Sequence, residues 1–130
     1  MNDAELTDKV RDAMDDECRK RGYAAPVDVL VDLGLLQKNR YDDWRAGRVL
    51  YMESVCTCNL HKLTTVMQQM RLYAREIGLK PSFSCYKGKG RKLRFSKSGS
   101  PEIENRYATH FVDVKQVELL KQAKNEKSDS

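Results

Sequence analysis

Long uncharged runs are missing from this chain: no stretch without Asp, Glu, Lys or Arg exceeds eight residues (54–61 and 63–70). A membrane-spanning helix needs about 20 apolar residues, so none is expected. The first 20 residues carry seven acids and no apolar run, which does not fit a secretory signal peptide; a cytoplasmic protein without a membrane partner is expected. Cysteine is sparse, with only Cys18, Cys56, Cys58 and Cys85, and in that compartment these are expected as thiols rather than a disulfide framework. Familiar catalytic signatures are also lacking. Gly88-Lys89-Gly90 has neither the spacing nor the following Ser or Thr of a phosphate-binding P-loop. Cys58 lies near His61, as a thiolate and base would, but nothing marks an orienting partner or an oxyanion site. The carboxylate pairs Asp42-Asp43 and Glu102/Glu104 each fall in a charged helical context. The expectation is a protein that is not an enzyme and uses no cofactor.

What is present is one domain's worth of chain. Its 130 residues are 40% hydrophobic and 33% charged, enough to bury about two-thirds of the unfolded surface around a core. The net charge of +5 is unevenly spread. Residues 1–43 hold eleven acids against seven bases. Residues 44–97 hold twelve bases against only Glu53 and Glu76. A basic middle between acidic or neutral ends is the footprint of a chain that attracts phosphate or an acidic protein surface.

Hydrophobic spacing predicts helices over 3–20 (Leu6, Val10, Ala13, Met14, Cys18, with Asp3 as cap), from Pro26 through Val27, Leu30 and Val31, and over 37–46. The clearest helix spans 59–77, with Leu60, Leu63, Met67, Met70, Ala74 and Ile77 in register, Asn59 as N-cap and Gly78 as C′ glycine. Residues 49–55 fit a short helix or a strand, with helix preferred. After Pro81 the period changes to two. Phe83 and Cys85 alternate with polar residues, as do Leu93 and Phe95 beyond the glycine-containing loop, which predicts a β-hairpin over 82–97. Its inner face would be Phe83, Cys85, Leu93 and Phe95; Tyr86, Lys92, Arg94 and Ser96 would face outward, with Lys87, Lys89 and Arg91 at the tip. Ser100-Pro101-Glu102 starts a further helix to about 107 or 108. An amphipathic stretch over 112–123 precedes a tail, 125–130, expected to be disordered. Residues 1–124 are then one domain: α+β, mostly helical, and winged-helix-like in its helix-then-hairpin order.

In that architecture residues 59–77 read the nucleic acid. Gln68, Arg71 and Arg75 lie near the bases, while Lys87, Lys89, Arg91, Lys92 and Arg94 neutralise phosphates. Zinc is a separate option for Cys56, Cys58 and His61 with Cys85 or His110. The C-x-C spacing suits it less well than C-x₂₋₄-C. Small buried thiols and a surface His61 explain the same residues, and no metal is assigned. Trp44 is expected to be a core anchor, with Arg45 and Arg48 exposed.

Trp44-Arg45-Ala46-Gly47-Arg48 followed by Val49-Leu50-Tyr51, together with residues 93–99 and 107–112, resembles a family of small bacterial proteins. The resemblance spans roughly 22–112. It implies a bacterial or mobile-element origin and carries no activity and no site residue.

The leading expectation is a non-enzymatic nucleic-acid-binding protein, a small regulator, with DNA favoured over RNA. The alternative is a protein-interaction module, an adaptor or inhibitor, that turns the same basic face to an acidic protein partner or offers the 112–123 helix to a groove.

Overall fold

The computed structural model describes residues 2–88 and 91–128, and the side chains among them except those of Arg91 and residues 126–128. The first helix, α1 (Asp3–Arg21), begins one residue earlier than its acids suggest. Asn2 is the cap, its side-chain oxygen accepting from the Glu5 N–H at 2.8 Å. Gly22 ends it at φ +88°, where the Cβ of another residue would be strained. A short strand, β1 (Tyr23–Ala24), leads to α2 (Pro26–Asp32), which carries proline in its first turn, and to α3 (Lys38–Arg45). The ambiguous 49–55 segment resolves as a single 3-10 turn, Met52–Val55.

The helix α4 (Leu60–Ile77) follows its sequence signals closely. Asn59 accepts from the Lys62 N–H at 2.9 Å, and Gly78 closes it in the left-handed conformation. Leu63, Val66, Met67, Met70 and Ala74 are buried. Leu60 and Ile77, expected on the same stripe, are exposed because they sit on the first and last turns, past the edge of the core.

The 82–97 hairpin requires correction. Residues 80–83 do form a strand, β2 (Lys80–Phe83), but its partner is β5 (Thr109–Val112), with Phe83 opposite Thr109 and Lys80 opposite Val112. On its other side β5 pairs with β1, giving a three-stranded antiparallel sheet in the order β1-β5-β2. Only β3 (Lys87–Gly88) and β4 (Arg91–Lys92) pair with each other, as a minimal ribbon. Alternation identifies a half-buried extended segment but not its partner, and 109–112 outcompetes 93–97 for β2. Phe83 and Cys85 are therefore exposed while Leu93 and Phe95 are buried. Ser96, expected outside, is buried, and Tyr86 is half-buried.

Residues 93–96 instead run beside the 3-10 turn. The Met52 and Glu53 N–H groups donate to the carbonyls of Arg94 and Phe95 at 3.1 and 2.9 Å. Helix α5 (Pro101–Ala108) packs over this segment and sends Glu104 into it. The final helix, α6 (Val114–Ser128), continues past the expected start of the tail; 129 and 130 lie outside the described residues. Buried side chains from α1 to β5 form one cluster, with Trp44, Tyr107 and Phe95 its largest members. No helix among the described residues is long and apolar enough to cross a membrane.

Candidate nucleic-acid interface

Charge on a surface matters only where it is left unneutralised. The basic stretch 44–97 has two acids, and both are occupied elsewhere. Glu76 turns toward α1 and pairs with Arg11 at 3.2 Å. Glu53 points inward, accepting from the Lys97 N–H at 2.9 Å and the Tyr107 hydroxyl at 2.7 Å. Arg71 and Arg75, one turn apart on α4, consequently make no ion pair or side-chain hydrogen bond among the described residues.

Both line a cleft of about 330 Å³ between α4, β2, α5 and β5. Arg106 of α5 completes a set of three guanidiniums there. It pairs with Glu102, 3.4 Å away on the helix surface, in an exposed geometry that contributes little. The floor is apolar (Ala74, Leu79, Pro81, Phe111), Asn105 and Thr109 supply neutral polar groups, and among the described residues no carboxylate lines the cleft. Partial burial and the facing Arg106 charge lower the Arg71 pKa, so this guanidinium has lost hydration without gaining a counter-charge.

Asn105 also borders a second cleft, which holds Phe83 and Lys92 together with the acids Glu102 and Glu104. Phe83 projects from the edge strand and is 58% exposed, with the Lys92 ammonium 5.9 Å from its ring centroid. Pro81 suits that edge position, since it has no N–H to donate to a further strand.

The expected phosphate-binding residues fall into separate groups. Lys87 and Lys92 are exposed on the short ribbon. Arg94 is committed to the fold: its guanidinium donates to the carbonyls of Ser96 (2.8 Å) and Lys97 and packs over the Tyr51 ring. Lys89 lies outside the described residues, as does the side chain of Arg91. Gln68 is exposed on α4. Arg106 was missed by sequence reasoning. Its signal was weak, a lone base in a helix with two acids, and only the cleft that α5 shares with α4 gives it a role.

The zinc candidates do not converge: among the described residues no three His, Cys, Asp or Glu side chains are placed to hold a metal. Burial pushes the Cys56 thiol up to about 12, and its Sγ donates to the Met52 carbonyl at 3.6 Å. His61 is exposed, while His110 is stacked on Tyr23 (5.4 Å) and hydrogen-bonded to the Tyr86 hydroxyl at 2.8 Å. Burial lowers the His110 pKa, which keeps the ring neutral near pH 7.

The W-R-x-G-R residues have structural roles. Trp44 is fully buried, donates from Nε1 to the Arg94 carbonyl at 2.8 Å, and packs against Phe95 and Tyr86. Gly47 takes φ +78° after α3. Arg45 and Arg48 are exposed, Arg45 over Tyr86 and Arg48 paired with Asp43 at 3.2 Å. No family model, curated protein or solved structure matches the chain significantly.

Proposed function

We propose that this protein is a non-enzymatic nucleic-acid-binding protein, a small regulator of bacterial or mobile-element origin, working through the face that joins the arginine cleft to Phe83, Lys92 and Lys87. The observation that carries the reading is the meeting of Arg71, Arg75 and Arg106 in one cleft with no acid among its lining residues. Two guanidiniums without a counter-charge and a third, Arg106, paired only at its exposed edge with Glu102, over an apolar floor, suit a phosphate-bearing ligand better than solvent. An acidic protein partner would meet the same charges, but an exposed aromatic beside the Lys92 ammonium adds stacking, which bases use and carboxylates do not.

Connectivity supports the winged-helix reading in a revised form. A winged helix-turn-helix runs helix, short strand, helices, then two antiparallel strands, the last of which pairs with the first strand. Here α1, β1, α2, α4, β2 and β5 follow that order, with β5 between β1 and β2. The wing would then be the whole 84–108 connection, including the ribbon and α5, and α4 would present Gln68 to the ligand.

Fluorescence anisotropy with labelled DNA and RNA tests the reading. Wild type should bind in a salt-sensitive manner, and the double variant Arg75→Glu/Lys92→Glu should bind at least about tenfold more weakly with an unchanged melting temperature, because both side chains are exposed. Equal binding by the variant would remove this face as the interface.

A further inference from the structure

We propose that the arginine cleft seats the terminal phosphomonoester of a single nucleic-acid strand, with Arg71, Arg75 and Arg106 on the phosphate and the adjoining nucleotides passing Asn105 toward Phe83 and Lys92. The inference rests on the nucleic-acid reading and adds which part of the ligand the cleft takes.

Charge is the first argument. An internal phosphodiester carries one negative charge, whereas a monoester carries about 1.5 to 2 near pH 7. Three guanidiniums with no lining carboxylate match the second better than the first. Arg71 and Arg75 are like charges one helical turn apart, an arrangement that is unfavourable until an anion lies between them. Both keep the planar fork that grips phosphate oxygens in pairs.

Shape is the second. At about 330 Å³ the cleft lies at the low end of small-ligand pockets, with room for a phosphate and part of its nucleoside on Leu79, Pro81 and Phe111. A duplex backbone, convex and continuous, would touch the rim of such a concavity. A strand end can enter it.

The exit path is the third. Asn105 borders both clefts, so a chain leaving the arginines meets Phe83 next; Glu102 and Glu104 also line that second cleft, their carboxylates held by Arg106 and by the Phe95 and Ser96 N–H groups. That ring is exposed on an edge strand with an ammonium beside it, and it offers a face to an unpaired base. Bases in a duplex already have both faces stacked.

The test uses the full chain and three short single-stranded oligonucleotides of one sequence: 5′-phosphorylated, 3′-phosphorylated, and hydroxyl at both ends. One phosphorylated form should bind about tenfold tighter than the hydroxyl form, the factor that a net gain of one charge-assisted hydrogen bond supplies. Whichever end wins fixes the strand polarity. Excess inorganic phosphate should abolish the advantage. Arg75→Ala and Arg106→Ala should each cut it to about twofold or less, and Arg75→Lys should restore part of it because charge returns without the fork. If all three oligonucleotides bind equally and in a salt-sensitive way, the terminal-phosphate site is wrong while nucleic-acid binding stands. If none binds, both proposals fail.

Discussion

Glu104 offers the most quantitative test of how the 93–108 region is held. Its carboxylate accepts three hydrogen bonds from one strand segment: the Phe95 N–H at 2.9 Å, the Ser96 N–H at 2.7 Å and the Ser96 hydroxyl at 2.6 Å. Ser96 is buried, so no water readily replaces the lost acceptor. Bonds to a charged partner contribute about 1.5–3 kcal/mol each, and three that share one carboxylate do not add fully. Glu104→Ala should therefore cost about 3–4 kcal/mol. For a chain of this size about 1 kcal/mol moves the melting temperature by roughly 3–5 °C, so a fall of about 10–15 °C is expected. Glu104→Gln keeps one acceptor but turns an NH₂ toward an N–H donor, and should lose about half as much. Calorimetric melts of the three proteins decide the matter. A Glu104→Ala loss below about 3 °C, or a glutamine variant less stable than the alanine one, would refute the claim that this carboxylate anchors the segment.

Further outcomes follow from other parts of the fold. Glu17 is buried at the α1–α2 contact, where desolvation and nearby Asp32 raise its pKa well above the usual carboxylate range against the opposing effects of the Ala25 N–H and Arg21. An acid with a raised folded-state pKa binds more protons folded than unfolded, so its contribution is present at low pH and lost as pH rises. Melting temperature should decline from about pH 5 upward by an amount that Glu17→Gln reduces; parallel pH profiles would contradict this. Gly22→Ala meets both φ +88° and a Val117 methyl 2.5 Å from the new Cβ, whereas Gly47→Ala (φ +78°) meets open space. The first should cost about 2–4 kcal/mol and expose α6 to limited proteolysis, the second about 1 kcal/mol. The single tryptophan should emit in the blue and resist acrylamide until unfolding. Trp44→Phe, which removes the donor to the Arg94 carbonyl, should cost about 1–3 kcal/mol in a denaturant titration.

Much of the helical frame was legible because its signals are local. Asn59, the 3.6-residue stripe and Gly78 bound α4 from sequence alone, and Pro101 marks α5. Strand partners were not legible. Phe83/Cys85 and Leu93/Phe95 have the alternation of a hairpin, yet β2 pairs with β5 across the 84–108 connection, a non-local choice made by the β1 and β5 packing. The basic segment could be counted in advance, but not which bases are free. Arg94 is consumed by carbonyls, and Arg106 joins Arg71 and Arg75 only through the docking of α5. Glu53 and Glu76 could not be known to face away from the cleft, since their partners Tyr107 and Arg11 lie 54 and 65 residues distant in sequence.

The central claim is that Arg71, Arg75 and Arg106 of the α4–α5 cleft bind nucleic-acid phosphate. Its most direct test is a titration of wild type and Arg75→Ala against single-stranded DNA, duplex DNA and structured RNA at low and near-physiological salt. The account predicts binding that weakens steeply with salt, a clear preference for the single strand, and a shallower salt slope for the variant, about one phosphate contact fewer. Binding that is absent at low salt, or identical in slope and affinity between the two proteins, would contradict it.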